Sequence, residues 1–388
     1  MRMNPLPTGV LAVGLFLCAA GAGAEPIIPS GDDEVIEVLP AAAGDRAEDK
    51  RLRRELAARP NDAELAVRVA RRELDRARVT GDPRFAGLAL SALRPWPDAA
   101  KAPAEVLLMR ATLQQYLHDF DASVASLRLL IARPGEAGRA QAWLTLATVL
   151  RVQGRYAESD EACRGLAASG AELHSAACLA ENAALRGEVA AARRSFEALL
   201  ARPGLPVPTQ GWLLTSLAEL EQRERRSAAA DAAWRRVLAF GPDTYAAIAY
   251  ADFLIAEGRP AEALATLERE PRSDTVLLRL AIAGRRANAA RAAADTDEMR
   301  ARIAQANERP EAKTLHGREQ AMFALFIEAA PTRALALARG NVERQREPLD
   351  LLLLAEAARA GGDAAAIDEA RRLKAAVGLH DRRIDALL

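Results

Sequence analysis

One pattern limits the folds open to this chain more than any other. Between Gln141 and Pro203, Trp143, Leu146, Ala147 and Leu150 fall on one helical face at 3.6 periodicity. Gly154 breaks that face, and Tyr156, Ser159, Cys163 and Leu166 open a second helix. Thirty-three residues on, the spacing returns with Leu179, Ala180, Gly187, Val189, Ala192, Phe196 and Leu199. A helix, a glycine turn, a second helix and a recurrence of about 34 residues describe stacked hairpins that bury their apolar faces against their neighbours. A shared stop signal strengthens the pattern: Ala58-Arg59-Pro60, Ala132-Arg133-Pro134 and Ala201-Arg202-Pro203, then Gly241-Pro242-Asp243.

These residues resemble the tetratricopeptide repeat. Taking the turn glycine as a ruler, comparable positions are His118, Gly154, Gly187, Arg225 and Gly258, at intervals of 36, 33, 38 and 33. The small second-helix residue of that family is matched by Ala192, Ala230 and Ala263, with Ser123 and Ser159 elsewhere. The large residue four later is Leu127, Phe196, Trp234 or Leu267, and Cys163 in one repeat. Two departures stand out: Arg225 replaces the turn glycine, and Glu221 sits where the first helix of the family carries an aromatic. The resemblance implies an all-α, right-handed superhelical solenoid of helix-turn-helix repeats.

Composition agrees with an all-α chain and excludes some functions. Ala, Leu, Arg and Glu dominate, all strong helix formers. Fifty-three basic side chains balance 53 acidic ones and the two are mixed along the chain, which argues against a footprint for nucleic acid or anionic lipid, since that needs a basic face. The repeats read best over residues 103 to 271, inside a solenoid running from 48 to 388. Asp62 to Leu93 reads as one helix pair around Gly81-Asp82-Pro83. Residues 274 to 308 and 312 to 345 read as two degenerate pairs, and Leu349 to Val377 as a better one. Ile384, Leu387 and Leu388 fit a short cap.

Residues 1 to 24 read as a cleavable export signal. Arg2 gives a positive start, Val10 to Ala20 is apolar, and Ala22-Gly23-Ala24 offers a cleavage site before Glu25. That run is shorter than the roughly 20 residues a membrane span needs, so no transmembrane anchor is expected. Leu17, preceding Cys18, does not fit a lipoprotein signal. The expected location is the periplasm. Residues 25 to 47, with Pro26, Pro29, Gly31 and Asp32-Asp33-Glu34, read as an extended or disordered arm.

Four histidines (His118, His174, His316, His380) are dispersed without metal-site spacing, and no nucleophile elbow or phosphate loop is present. No metal, cofactor or catalysis is expected. Cys163 and Cys178 lie at similar distances from a turn near Ser169-Gly170, on antiparallel helices. In an oxidising compartment that placement favours a disulfide; the alternative is two small buried side chains.

The resemblance further implies that the inner faces of the first helices bind extended peptides. One row on that face is Gln141, His174, Trp212 and Tyr245; a second is Thr148, Glu181, Glu219 and Asp252. Three acids beside two aromatics suit a protein or peptide partner with a basic segment. The alternative is an ordinary solvated helix face. The positions where a related subfamily clamps a C-terminal carboxylate hold Met109, Thr145, Cys178, Ser216 and Ala249, so that activity does not carry over. The expectation is a non-catalytic scaffold. A transient assembly helper for an envelope complex and a cell-wall enzyme are the alternatives.

Overall fold

Every turn the glycine ruler marks closes in the same way. In the computed structural model, α6 (Arg139–Val152) ends at Gly154, whose φ is 75°, and the N–H of Arg155 donates to the Leu150 carbonyl at 2.8 Å before α7 (Tyr156–Ala167) begins. The bond recurs between α8 (Glu172–Leu185) and α9 (Val189–Leu200), from Glu188 to Ala183 at 2.9 Å, with Gly187 at φ 92°. It recurs again between α12 (Thr244–Ala256) and α13 (Pro260–Leu267), from Arg259 to Leu254 at 2.8 Å. His118, between α4 (Ala104–Tyr116) and α5 (Phe120–Ile131), adopts φ 59°. Arg225, between α10 (Val207–Arg223) and α11 (Ser227–Leu238), adopts φ 58°. Both accept the left-handed conformation that costs a residue with a Cβ about 1–2 kcal/mol, so the turn geometry belongs to the position.

Small side chains set how closely the paired helices approach. Ala192, Ala230 and Ala263 are buried, and Ser123 and Ser159 donate to the carbonyls of Ala111 (2.9 Å) and Ala147 (2.8 Å) on the preceding helix. Leu127, Cys163, Phe196, Trp234 and Leu267 fill the space behind them, all buried. Gly165 is needed for a close approach: a Cβ there would lie 2.6 Å from the Trp143 ring. Cys163 and Cys178 form a disulfide, with Cα atoms 5.7 Å apart across the Gly170 turn. Glu221 does not replace an aromatic contact with an apolar one. It is buried and held by Arg193, Nη2 to Oε2 at 3.0 Å, with Arg226 at 3.3 Å.

The described residues are 46–388 except 81, 134, 136, 137 and 309–316, and they are helical with no strands. The expected leader (1 to 24) and nearly all of the expected arm (25 to 47) lie outside them. Ahead of the regular hairpins stand α1 (Arg46–Ala58), α2 (Ala63–Thr80) and α3 (Pro83–Ala92). After them come α14 (Asp274–Ala287), α15 (Ala292–Asn307), α16 (Gly317–Phe326), α17 (Pro331–Val342), α18 (Pro348–Ala360), α19 (Ala364–Val377) and α20 (Arg382–Asp385). The result is an all-α solenoid in which each helix packs on the next and first helices stack on first helices.

The solenoid closes upon itself. The turn before α18 and the segment after α19 return to the turns of α6–α7 and α8–α9. Arg346 N–H donates to the Val152 carbonyl, and His380 N–H to the Leu185 carbonyl, each at 2.7 Å. Tyr156 and Leu185 belong to the same apolar cluster as Leu379 and Ile384. The face expected to form an open groove therefore becomes the wall of a chamber, with α18 across from α10 and α12.

Candidate functional site

First helices place their inner faces on the chamber because the apolar stripe of each is consumed by its own hairpin and its neighbours. Five of the eight residues expected there line one cavity of about 530 Å³: Thr148, Glu181, Trp212, Glu219 and Tyr245. Asp252 lines an adjoining cavity of about 340 Å³ that shares Glu219 and Tyr245. Gln141 and His174 line neither. His174 stacks on Trp212, ring centres 5.8 Å apart. Gln141 is exposed near the start of α6 and reaches Thr145 Oγ1 at 3.3 Å. Thr148 turns its hydroxyl back to the Leu144 carbonyl at 3.0 Å.

The three acids do not form a uniform free wall, which corrects the sequence-based expectation. Glu181 accepts from Trp212 Nε1 at 2.8 Å and Ser216 Oγ at 2.6 Å, and pairs with Arg151. Asp252 receives the Arg279 guanidinium in a two-point contact at 3.0 and 2.9 Å. That arginine is only 2% exposed. In each pair the arginine and the acid come from adjacent first helices, Arg151 on the helix before Glu181 and Arg279 on the helix after Asp252, so stacking of neighbouring first helices supplies the cation. Glu219 differs. Its nearest cation is Arg223, at 3.9 Å, and its side chain keeps a third of its surface. It accepts the Tyr245 hydroxyl at 2.6 Å, and Tyr245 is the most exposed large apolar residue of the described chain, at 62%.

Across the chamber Glu347 and Pro348 complete both cavities. Glu347 pairs with Arg318 and begins α18, where Asp350 reaches back to the Glu347 N–H at 2.9 Å. Glu219 therefore faces like charge. Burial in the chamber holds its carboxyl above the usual glutamate range, Arg223 and the Tyr245 hydroxyl pull it down, and Glu181 and Glu347 push it up. The neighbouring Glu219 charge lifts the Tyr245 hydroxyl well above the ordinary phenol range. Burial lowers the Arg223 guanidinium, opposed by Glu219 and Asp381. Glu347 and Arg383 were missed because they lie outside the first helices, and Arg223 and Arg318 because they sit on α10 and α16 at registers the two rows do not include. A capping pair, Glu347 and Asp350 around Pro348, marked only the start of a helix.

Chemically, the arrangement offers two partly exposed carboxylates, Glu219 and Glu347, beside an accessible tyrosine ring. Among the described residues no group of three or more His, Cys, Asp or Glu side chains could hold a metal ion, and no helix is long and apolar enough to cross a membrane.

No family model matches the chain, and no curated protein matches it. Among solved structures, it is similar to a tetratricopeptide repeat protein from Parabacteroides merdae ATCC 43184, at 17% identity and a TM-score of 0.37 over 66% of this chain and 98% of that one. A second similarity is to the structure of Naa15/Naa10 bound to HypK-THB, at 16% identity and a TM-score of 0.23, over 87% of this chain and 62% of that one.

Proposed function

We propose that this protein is an exported, non-catalytic scaffold of the periplasm whose inner chamber receives a partner protein segment carrying lysine or arginine. The observation that supports this reading most directly is the convergence of Glu219, Glu347 and Tyr245 on two adjoining cavities. A cation between two carboxylates and an aromatic ring gains both charge and cation–π contacts, each worth about 0.5–1 kcal/mol where water remains. Trp212 and Thr148 extend the same wall, so affinity accumulates over several weak contacts and falls with salt. Because Glu219 must be ionised to hold a cation, binding is lost as pH falls through its raised value, at higher pH than for an ordinary glutamate.

The test is photo-cross-linking in intact cells with a benzophenone amino acid at position 245. A captured segment with a basic residue at the adduct, and loss of capture with Glu219→Gln, is the expected result. Capture unaffected by Glu219→Gln, or adducts on acidic segments, overturns the reading. Turnover of peptidoglycan by the purified protein would favour the enzyme alternative.

A further inference from the structure

The chamber closes at a seam. At the seam, two backbone hydrogen bonds tie the turns of α17–α18 and α19–α20 to the ends of α6 and α8. His380 Nε2 adds a contact to Glu224 Oε1 at 2.7 Å, at the end of α10. In the two turns the seam covers, a Cβ would press on the clasp. At Gly154 a Cβ would lie 2.9 Å from Val377 Cγ1, and at Gly187 it would lie 3.2 Å from the His380 ring. At Gly258, the same turn one repeat pair further on, it would meet nothing within 4 Å.

Across residues 239–243 the chain stays packed: Trp234 of α11 shares an apolar core with Ala247 and Tyr250 of α12, Tyr250 Oη donates to Asp231 at 2.8 Å, and Arg259 reaches the same carboxylate at 2.7 Å. Closure carries a cost. Tyr156 Oη is buried at the seam with no hydrogen-bond partner among the described residues, a deficit that water would repair on opening. Nearby Arg223 is 6% exposed and, among the described residues, its ion pair is the 3.9 Å contact with Glu219.

We infer that α18–α20 and the turn before them clasp the turns of α6–α11 through residues 346–348 and 377–383, and that this clasp opens. Closure of the clasp and admission of a large partner to the chamber are then competing states. The competing partner rests on the function proposed above; the clasp does not.

Gly154→Ala and Gly258→Ala form a matched pair, since the φ values are 75° and 73° and only the first meets the clasp. In hydrogen exchange of the full chain, Gly154→Ala is expected to speed the Arg346 and His380 amides about tenfold relative to the α14 and α16 core. Gly258→Ala leaves that ratio at its wild-type value. A cysteine reporter, Thr215→Cys on the chamber wall with Cys18→Ser, reads access. A bulky polyethylene-glycol maleimide should lag a small maleimide in the closed protein and catch up in Gly154→Ala. If Gly154→Ala does not fold, His380→Ala supplies the opening without the clash. Equal acceleration of every amide, or bulky reagent reacting as fast as small reagent in the wild type, overturns the clasp. An opening seam without any basic partner would sink the partner reading and leave the clasp standing.

Discussion

Hairpins α6–α7 and α18–α19 meet across the seam, yet they are built from different materials. In α6–α7 the contacts are small and close in sequence: the Ser159 hydroxyl on the Ala147 carbonyl, Gly165 beneath Trp143, Cys163 bonded to Cys178. In α18–α19 the organising group is a buried acid. Asp350, 1% exposed, accepts from Arg318 Nε and Asn341 Nδ2, each at 2.6 Å, and from the Glu347 N–H. One region is specified by a repeating shape, the other by a polar network whose members come from α16, α17 and α18. The difference teaches where each should fail.

The largest effect should come from Asp350→Ala. It removes the buried acceptor shared by Arg318, Asn341 and Gln345 and leaves Arg318 with Glu347 alone among the described residues, and breaking a buried pair typically costs about 3–5 kcal/mol. Chemical denaturation should show a loss of that order, together with faster exchange in α16–α18. A loss below about 1 kcal/mol would mean the network tolerates water and the contrast with α6–α7 is false.

Second in size is the disulfide. Cys163 and Cys178 are 15 residues apart, and closing a loop of that length stabilises by about 3 kcal/mol in chain-entropy models. Reduction, or Cys163→Ala with Cys178→Ala, should lower the melting temperature and loosen α7 and α8 before the C-terminal helices. Peptide mapping without reductant should recover the linked pair. If α18–α19 loosens first, the regular repeats do not depend on local contacts.

These two regions also divide what was readable in advance. Helix pairs, all five turn positions, the small and large second-helix residues and the cysteine pair follow from local spacing, because each is set by contacts within one or two repeats. The first-helix rows were legible for the same reason, and five of their eight members share a cavity. Partners across the chamber were not. Arg346 meets Val152 and His380 meets Leu185 through backbone atoms, which leave no side-chain pattern to read. The pairing of Asp252 with Arg279 was missed because a row of acids was read without the arginine one repeat on.

Glu356, on the inner side of α18, sharpens the contrast through pH. Burial lifts its carboxyl from 4.5 to about 7, with Arg383 and Arg286 opposing. Since the folded value lies above the unfolded one, its full contribution is present below pH 4.5 and is lost as pH rises through about 7. A rise of that size corresponds to at most about 3 kcal/mol, and less where water reaches the group. Denaturation at pH 5 and pH 8.5 should show wild type losing stability on the alkaline side, while Glu356→Gln flattens the slope and is the more stable protein at pH 8.5. An unchanged slope in Glu356→Gln would show that this carboxyl is hydrated.

The smallest effect tests whether the regular turns are specified by position alone. Arg225 and His118 hold φ values of 58° and 59°, conformations that glycine adopts freely. Relief of the left-handed penalty, about 1–2 kcal/mol, is offset by the roughly 0.5–1 kcal/mol of extra chain entropy that glycine brings to the unfolded state. Arg225→Gly should therefore stabilise by somewhat under about 1 kcal/mol. His118 carries a second duty: its ring stacks on Phe120 with centres 5.4 Å apart, a contact worth about 0.5–1.5 kcal/mol between aromatic rings. His118→Gly loses that stack and should be neutral or slightly destabilising. Thermal unfolding of the two variants side by side decides between the cases. If both gain equally, the His118 ring contributes nothing and the turn is purely a backbone device. If neither gains, the left-handed turn is already favoured by its hydrogen bonds, from Arg226 N–H to Glu221 and Asp119 N–H to Gln114, and side-chain identity there is free to serve the chamber rim.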